Sequence, residues 1–327
     1  MRYPIDMTFK TDICDLLEID VPIFLAGMGG VAFADVCAAV SAAGGYGTLG
    51  MAGVQPEGIR REMRRVHELT DKPFGVDLLA ALPEQMMDAI DIIIEEGASA
   101  FIAGLGVPGP VVQKCHDNGV LVMSMCGKVS HAVAAQEAGC DAVVAQGTEA
   151  GGHTGKVAGM ALIPQVVDAV DIPVLGAGSI VDGRGLAAVL ALGAQGAWMG
   201  TRFIASHEAR AGEAYKKQIG ATRSEDTIVT RCYSGKPMRV ISNSHVELKE
   251  RTPGAIQRFP EQMYASMQEG VMVALSGATE GIEPDRHCMP CGQGAGAIDD
   301  ILSCQEIIDN TMAEAQSVLS RLGTLAG

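Results

Sequence analysis

Aromatic residues are scarce in this chain, at 4% of 327 residues with a single tryptophan. A core of this length must therefore be built from Ala, Val, Leu, Ile and Met, within a hydrophobic content of 48%. Positive charge is scarce too: 24 Lys and Arg stand against 39 Asp and Glu, for a formal net charge of −15. No block of Lys and Arg offers a footprint for a phosphate backbone or an anionic lipid surface, so neither nucleic acid nor membrane is an expected partner. Long apolar spans are also missing. Residues 36–56 carry no charge, but Gly44, Gly45, Gly47, Gly50 and Gly53 break them, and the uncharged stretch 185–201 is too short to span. The opening MRYPIDMTFKTDICD is charged throughout and lacks the apolar centre of a secretory signal. Nine scattered cysteines without such a signal read as reduced thiols, and a cytoplasmic location is expected. No P-loop, HExxH, GxSxG or strand-borne GxGxxG motif is present, and no low-complexity or Ser/Pro-rich linker divides the chain.

What is present is a repeat. Short apolar runs predict strands at 21–26, 46–50, 73–78, 100–104, 120–125, 141–146, 172–178 and 196–200. Helix-compatible, Ala-rich segments lie between them, at 31–43, 55–70, 83–96, 108–118, 128–138, 160–169 and 182–192. Strands separated by helices call for parallel pairing through crossover connections. Eight of them suit a closed (β/α)8 TIM barrel better than an open doubly wound sheet. After about residue 206 the chain turns polar, through HEARAGEAYKKQ and LKERTPG, and predicts a mainly helical inserted subdomain over residues 207–282 that covers the barrel mouth. The barrel would then comprise 1–206 and 283–327, its tail from 294 to 326 closing with an amphipathic helix.

In such a barrel, chemistry collects at the carboxyl ends of the strands, and here those ends are rich in glycine: AGMGG (26–30), AQGTEAGGHTG (145–155), GAGS (176–179) and MGTR (199–202). Gly178 and Ser179, with Gly200 and Thr201 from the next strand, suit a phosphate site built from backbone N–H groups and hydroxyls. Ordinary βα turns are the alternative for each alone; two adjacent ones favour the phosphate. His153 stands among Gly151, Gly152 and Gly155, and an imidazole there suits proton transfer to or from a substrate. Glu149 orients that loop, binds substrate or is simply solvated. Cys288 and Cys291 form a lone CxxC followed by glycines, which reads as loop thiols, and no metal set accompanies them.

These motifs together carry a resemblance. The stretches PIFLAGMGG, LTDKPFGVDL, DAVVAQGTEAGGHTG, CGQGAGAI and above all IPVLGAGSIVDGRGLAAVLALGAQGAWMGTRFIAS span nearly the whole chain. The chain resembles the nitronate monooxygenase (2-nitropropane dioxygenase-like) family of FMN-dependent TIM barrels, and the related flavin-dependent enoyl-acyl-carrier-protein reductases. The resemblance implies FMN as cofactor. Ala26, Gly27 and Met28 would lie along the ring, and Gln146, Gly151 and Gly152 at the ribityl chain and ring edge. Gly178, Ser179, Gly200 and Thr201 would hold the phosphate, Gln293 would approach from the roof, and His153 would face the substrate. It departs from the family at Asp77, where an Asn usually contacts the flavin, at Gly30, where many relatives carry an aromatic, and at Met125, where some carry a lysine. A carboxylate only accepts hydrogen bonds where an amide also donates. The implied reaction is oxidation of an alkyl nitronate with O2 to a carbonyl compound and nitrite. The alternative is NAD(P)H-dependent reduction of an enoyl thioester or quinone. A flavin-holding protein without turnover is disfavoured by the intact His153, and a homodimer is among the assemblies the sequence allows.

Overall fold

The computed structural model describes residues 10–79, 83–104, 106 and 109–325. The first nine residues of the leader reading, the start of the predicted helix at 108, and the last two residues of the chain lie outside them. Eleven strands occur in chain order among the described residues: β1 Ile23–Leu25, β2 Gly47–Gly50, β3 Phe74–Leu79, β4 Ala100–Gly104, β5 Leu121–Cys126, β6 Ala142–Gln146, β7 Gly152–His153, β8 Val174–Ala177, β9 Gly196–Met199, β10 Thr227–Thr230 and β11 Met238–Ile241. Eight of them form one parallel sheet in the order β1-β9-β8-β6-β5-β4-β3-β2. The ends of that sheet meet, because Phe24 bridges Tyr46 and the Leu25 and Tyr46 amides donate to Tyr46 and Ile23 carbonyls at 2.9 Å. This is a (β/α)8 barrel, and each of its strands falls within two residues of its predicted span. Strands buried on both faces read as unbroken apolar runs, and β1, β2, β4, β8 and β9 are buried at every position.

One end of the barrel is closed. Phe24, Tyr46 and Trp198, from a chain with few aromatics, pack together inside it, with ring centroids 5.6 and 6.2 Å apart. The short helix Asp12–Leu16 and the residue that ends it, Leu17, add Ile13, Cys14 and Leu17 to the same cluster. It is pinned at the amino end of β9 by the Ile13 amide on Gln195 Oε1 (2.9 Å) and Thr11 Oγ1 on the Gln195 carbonyl (2.6 Å). The opposite, carboxyl end is the mouth.

The outer helices pack in a ring. The helix Gly183–Ala191 starts at Asp182, whose carboxylate accepts the Gly185 amide at 3.0 Å. The closing helix Cys304–Leu325 lies against it, burying Ile307, Ile308, Thr311, Met312 and Ala315. The approach is close enough that a Cβ on Gly183 would sit 2.3 Å from the Ala315 nitrogen.

The segment after residue 206 contains the helices Glu213–Ala221, Ser244–Arg251 and Glu261–Gln268. It also contains strands that the polar composition did not announce. β10 pairs antiparallel with β11, and β11 pairs with β7, so a three-stranded sheet joins this segment to the loop after β6. A small core of its own gathers Cys232, Tyr233, Met238, Val240, Val246, Val271 and Cys288. Its Leu275 backbone also presses on Gly30 at the end of β1, so the segment spans the mouth from the β1 side to the β6 side.

Candidate active site

The strand ends bring most of the expected residues together. The Ala26 amide donates to the Met199 carbonyl at 2.9 Å, which sets the turn after β1 beside the end of β9. A Cβ on Gly200 would touch Met28 Sδ at 3.4 Å and the Ala26 methyl at 3.5 Å. Asp77 reaches across from β3 to the same turn, and a Cβ on Gly27 would lie 2.2 Å from Asp77 Cβ. Ala26, Gly27, Met28, Asp77, Met125 and Gln146 all keep partial exposure at this end of the barrel.

Asp77 is the chemically unusual member. No side-chain partner meets its carboxyl among the described residues, and none of the neighbouring segments 26–30, 50–54 and 100–104 contains a titratable residue. Burial without a counter-charge pushes its pKa well above the usual carboxylate range.

The phosphate-type turns follow β8 and β9. Gly178 and Ser179 both take positive φ, 113° and 54°. The backbone N–H groups of Gly178, Ser179, Gly200 and Thr201 find no acceptor among the described residues. A non-glycine residue in the left-handed region is uncommon, and successive free amides around such a turn make an anion-binding concavity. Both hydroxyls are engaged by the turn above them. Ser179 Oγ accepts the Gly294 amide (2.9 Å) and donates to the Glu149 carbonyl, and Thr201 Oγ1 accepts the Gly292 amide (3.0 Å). They lash the 292–294 turn over the strand ends, where the Gln293 amide also donates to the Glu149 carbonyl at 2.9 Å.

His153 lies in β7 and is exposed. Its carbonyl accepts Gln146 Nε2 at 2.7 Å, its Cα register partner is Met238, and Ser234 Oγ stands 2.9 Å from Nε2. Partial desolvation and the Lys236 ammonium hold its pKa below the ordinary histidine value, so the ring is neutral at neutral pH. The loop beneath is fastened by Arg239, a buried residue of β11 whose Nε donates to the Thr148 carbonyl and Nη1 to Thr227 Oγ1, each at 3.0 Å. Glu149 turns its carboxylate onto the Gly159 amide, at 2.9 and 3.1 Å, so of the three roles open to it the loop-orienting one has geometric support.

The glycines around His153 have a local reason. A Cβ on Gly151 would meet the Cys291 and Gly292 backbone at 2.8 Å, and one on Gly155 the Gly127 carbonyl at the same distance. Gly152 has φ +74° and open space beside it. Cys288 and Cys291 are both buried and free, and burial pushes the Cys291 pKa up to about 12. Ser234, Lys236 and Arg239 were not singled out from the sequence. The only signal nearby is the Gly-Lys-Pro of a turn, which says nothing of the histidine it meets.

The nitronate monooxygenase family model matches residues 10–96 and 84–314. The chain belongs to the nitronate monooxygenase family. A probable nitronate monooxygenase of Staphylococcus saprophyticus is 32% identical, with 96% of this chain and 100% of that protein covered. A (3aS,4S,5R,7aS)-5-hydroxy-7a-methyl-1-oxo-octahydro-1H-indene-4-carboxyl-CoA dehydrogenase of Rhodococcus jostii is also 32% identical, over 97% and 99%. Among solved structures, FabK of Thermotoga maritima superposes with a TM-score of 0.88 at 34% identity, covering 97% of this chain and 99% of that one. The nitroalkane oxidase of Streptomyces ansochromogenes does so with 0.83 at 28%, covering 95% and 100%. The chain is therefore an oxidoreductase of a flavin-using family.

Proposed function

We propose that this family member is an FMN-dependent nitronate monooxygenase, oxidising an alkyl nitronate with O2 to a carbonyl compound and nitrite. One observation carries the reading: an exposed imidazole, His153, hydrogen-bonded to Ser234 at a barrel mouth whose adjoining strand ends offer free amides to an anion. The phosphate of FMN would be held by the Gly178, Ser179, Gly200 and Thr201 amides. Ala26, Gly27 and Met28 would line the ring, Asp77, Gln146, Gly151 and Gly152 its edge and the ribityl chain, and Gln293 the roof. When bound, the flavin supplies the electron acceptor. Towards an alkyl nitronate, His153 steadies the anion by hydrogen bonding; towards a neutral nitroalkane, it takes the proton from the carbon and leaves that bond's electron pair on the nitronate.

A second reading is favoured by the Rhodococcus jostii relative, named as acting on a CoA ester and as similar to this chain as the Staphylococcus protein. Under it the chain is an NAD(P)H-dependent flavin reductase of an enoyl thioester, and the open space at Gly152 and the apolar Met125 serve a bulkier substrate. Anaerobic mixing of the purified yellow protein with propyl nitronate, NADH and NADPH in turn separates the two. Bleaching of the flavin by nitronate is expected. Bleaching by NAD(P)H alone replaces the first reading with the second, and bleaching by none of them removes both.

A further inference from the structure

The hydroxyl of Ser234 has three polar neighbours and one proton to share among them. Ser234 is buried, with 2% of its surface exposed, in the turn that leads into β11. Its Oγ lies 2.9 Å from His153 Nε2, 3.2 Å from the Lys236 carbonyl oxygen and 3.2 Å from the Lys236 amide nitrogen. The carbonyl can only accept and the amide can only donate. If the hydroxyl proton goes to the carbonyl, its lone pairs receive the Lys236 amide and an Nε2–H, and every contact is a hydrogen bond. If it goes to Nε2, two oxygens face each other at 3.2 Å with no proton between them, inside a buried turn where an unmade bond is costly.

We infer that Ser234 is a positioning residue which holds neutral His153 in its Nε2–H form and so makes Nδ1 the nitrogen that exchanges protons with the substrate. The turn is braced to do this. Gly235 takes φ +80°, a Cβ there would lie 2.3 Å from the Phe259 backbone nitrogen, and the Lys236 ammonium lies 4.2 Å from the centre of the Phe259 ring. No other hydrogen bond reaches the imidazole ring among the described residues, which leaves Nδ1 unengaged. Of the charged groups on elements packed against the ring, Lys236 is the one whose field reaches it. Arg239 on β11 is turned to Thr148 and Thr227, and Glu149 is turned to Gly159. The fold-level consequence is that the proton-exchanging atom is set by the segment after residue 206, while His153 itself comes from the barrel loop.

The inference rests on His153 being the group that exchanges the substrate proton, and its test separates the two claims. Long-range proton–nitrogen correlation spectra of the flavin-loaded protein, with histidine labelled and His153 assigned by its loss in His153→Ala, report the tautomer directly. The Nε2–H form is expected in the natural protein, and an Nδ1–H form overturns the proposal without any need for a variant. Ser234→Ala should give a mixture of tautomers, and Ser234→Thr should restore the single form. The ring pKa, and with it the acidic limb of the kcat/KM profile, should fall in Ser234→Ala, because the lost acceptor also serves the imidazolium. A rise, or an unchanged tautomer, counts against Ser234. If instead His153→Ala turns over normally, the catalytic reading of His153 fails while the tautomer result stands.

Discussion

His153 and Asp77 face the same barrel end with opposite electrostatic outcomes. Both are set in protein with little compensation, and in each the neutral form is favoured: the imidazole loses its proton more readily and the carboxyl keeps it. Replacing His153 by alanine should lower kcat/KM by about 10²- to 10⁴-fold, the usual contribution of general acid–base catalysis, while the flavin absorbance of the purified protein is unchanged. Stopped-flow reduction together with the bound-flavin spectrum checks both parts. For Asp77 the sign runs the other way from a salt-bridged carboxylate. Its folded pKa is raised, so the stability linked to its proton is fully present below the unfolded value near 3.9 and is lost as pH rises through the folded one. Asp77→Asn should therefore resist urea better than the natural protein at about pH 8, with the advantage shrinking towards about pH 4. An equal gain at both ends would show that ionisation is not the cause. Family likeness drew attention to Asp77 as a departure, but its lack of a partner became visible only with β1, β2 and β4 around it.

At the scale of elements, the site is a seam between a barrel loop and a small antiparallel sheet. β7 is two residues long and exists because β11 lies beside it. No periodicity is detectable in two residues, and β10 and β11 lie in a stretch whose polar residues dominate its reading. Arg239 is the rivet. Arg239→Met keeps the length and loses both bonds, and should cost about 2 kcal/mol, the range of hydrogen bonds from a charged donor. Amide exchange across residues 148–154 should quicken; unchanged exchange would mean the loop holds without it. Gly151→Ala tests the explanation given for the glycines. Its Cβ must displace the 291–292 backbone, at a cost of about 1–3 kcal/mol in urea unfolding. An added methyl at Gly152 meets no atom, so its cost is limited to the positive φ, roughly 1–2 kcal/mol.

Across the whole molecule, the barrel depends on its last helix. Six residues of Cys304–Leu325 are buried where it packs against the Gly183–Ala191 helix and its neighbours. At roughly 1.5–3 kcal/mol for each large apolar side chain, Ile307, Ile308 and Met312 alone contribute about 5–9 kcal/mol, comparable to the whole stability of a typical domain. Ending the chain after Ser303 should leave no cooperative unfolding transition by circular dichroism. A truncated protein that still melts sharply would show the barrel to be self-sufficient.

The sequence by itself determined the eight-stranded barrel, the glycine-rich strand ends and the histidine. Parallel strands covered on both faces need continuous apolar runs, and close-packed turns need glycine, and both leave marks along the chain. The tertiary structure alone decided what those marks are for. Gly27 and Gly151 make room for Asp77 and the 291–292 turn, and His153 answers to Ser234, Lys236 and Arg239. Those partners lie some eighty residues further along the chain, and a hydrogen bond between such distant residues depends on folding rather than on any local pattern.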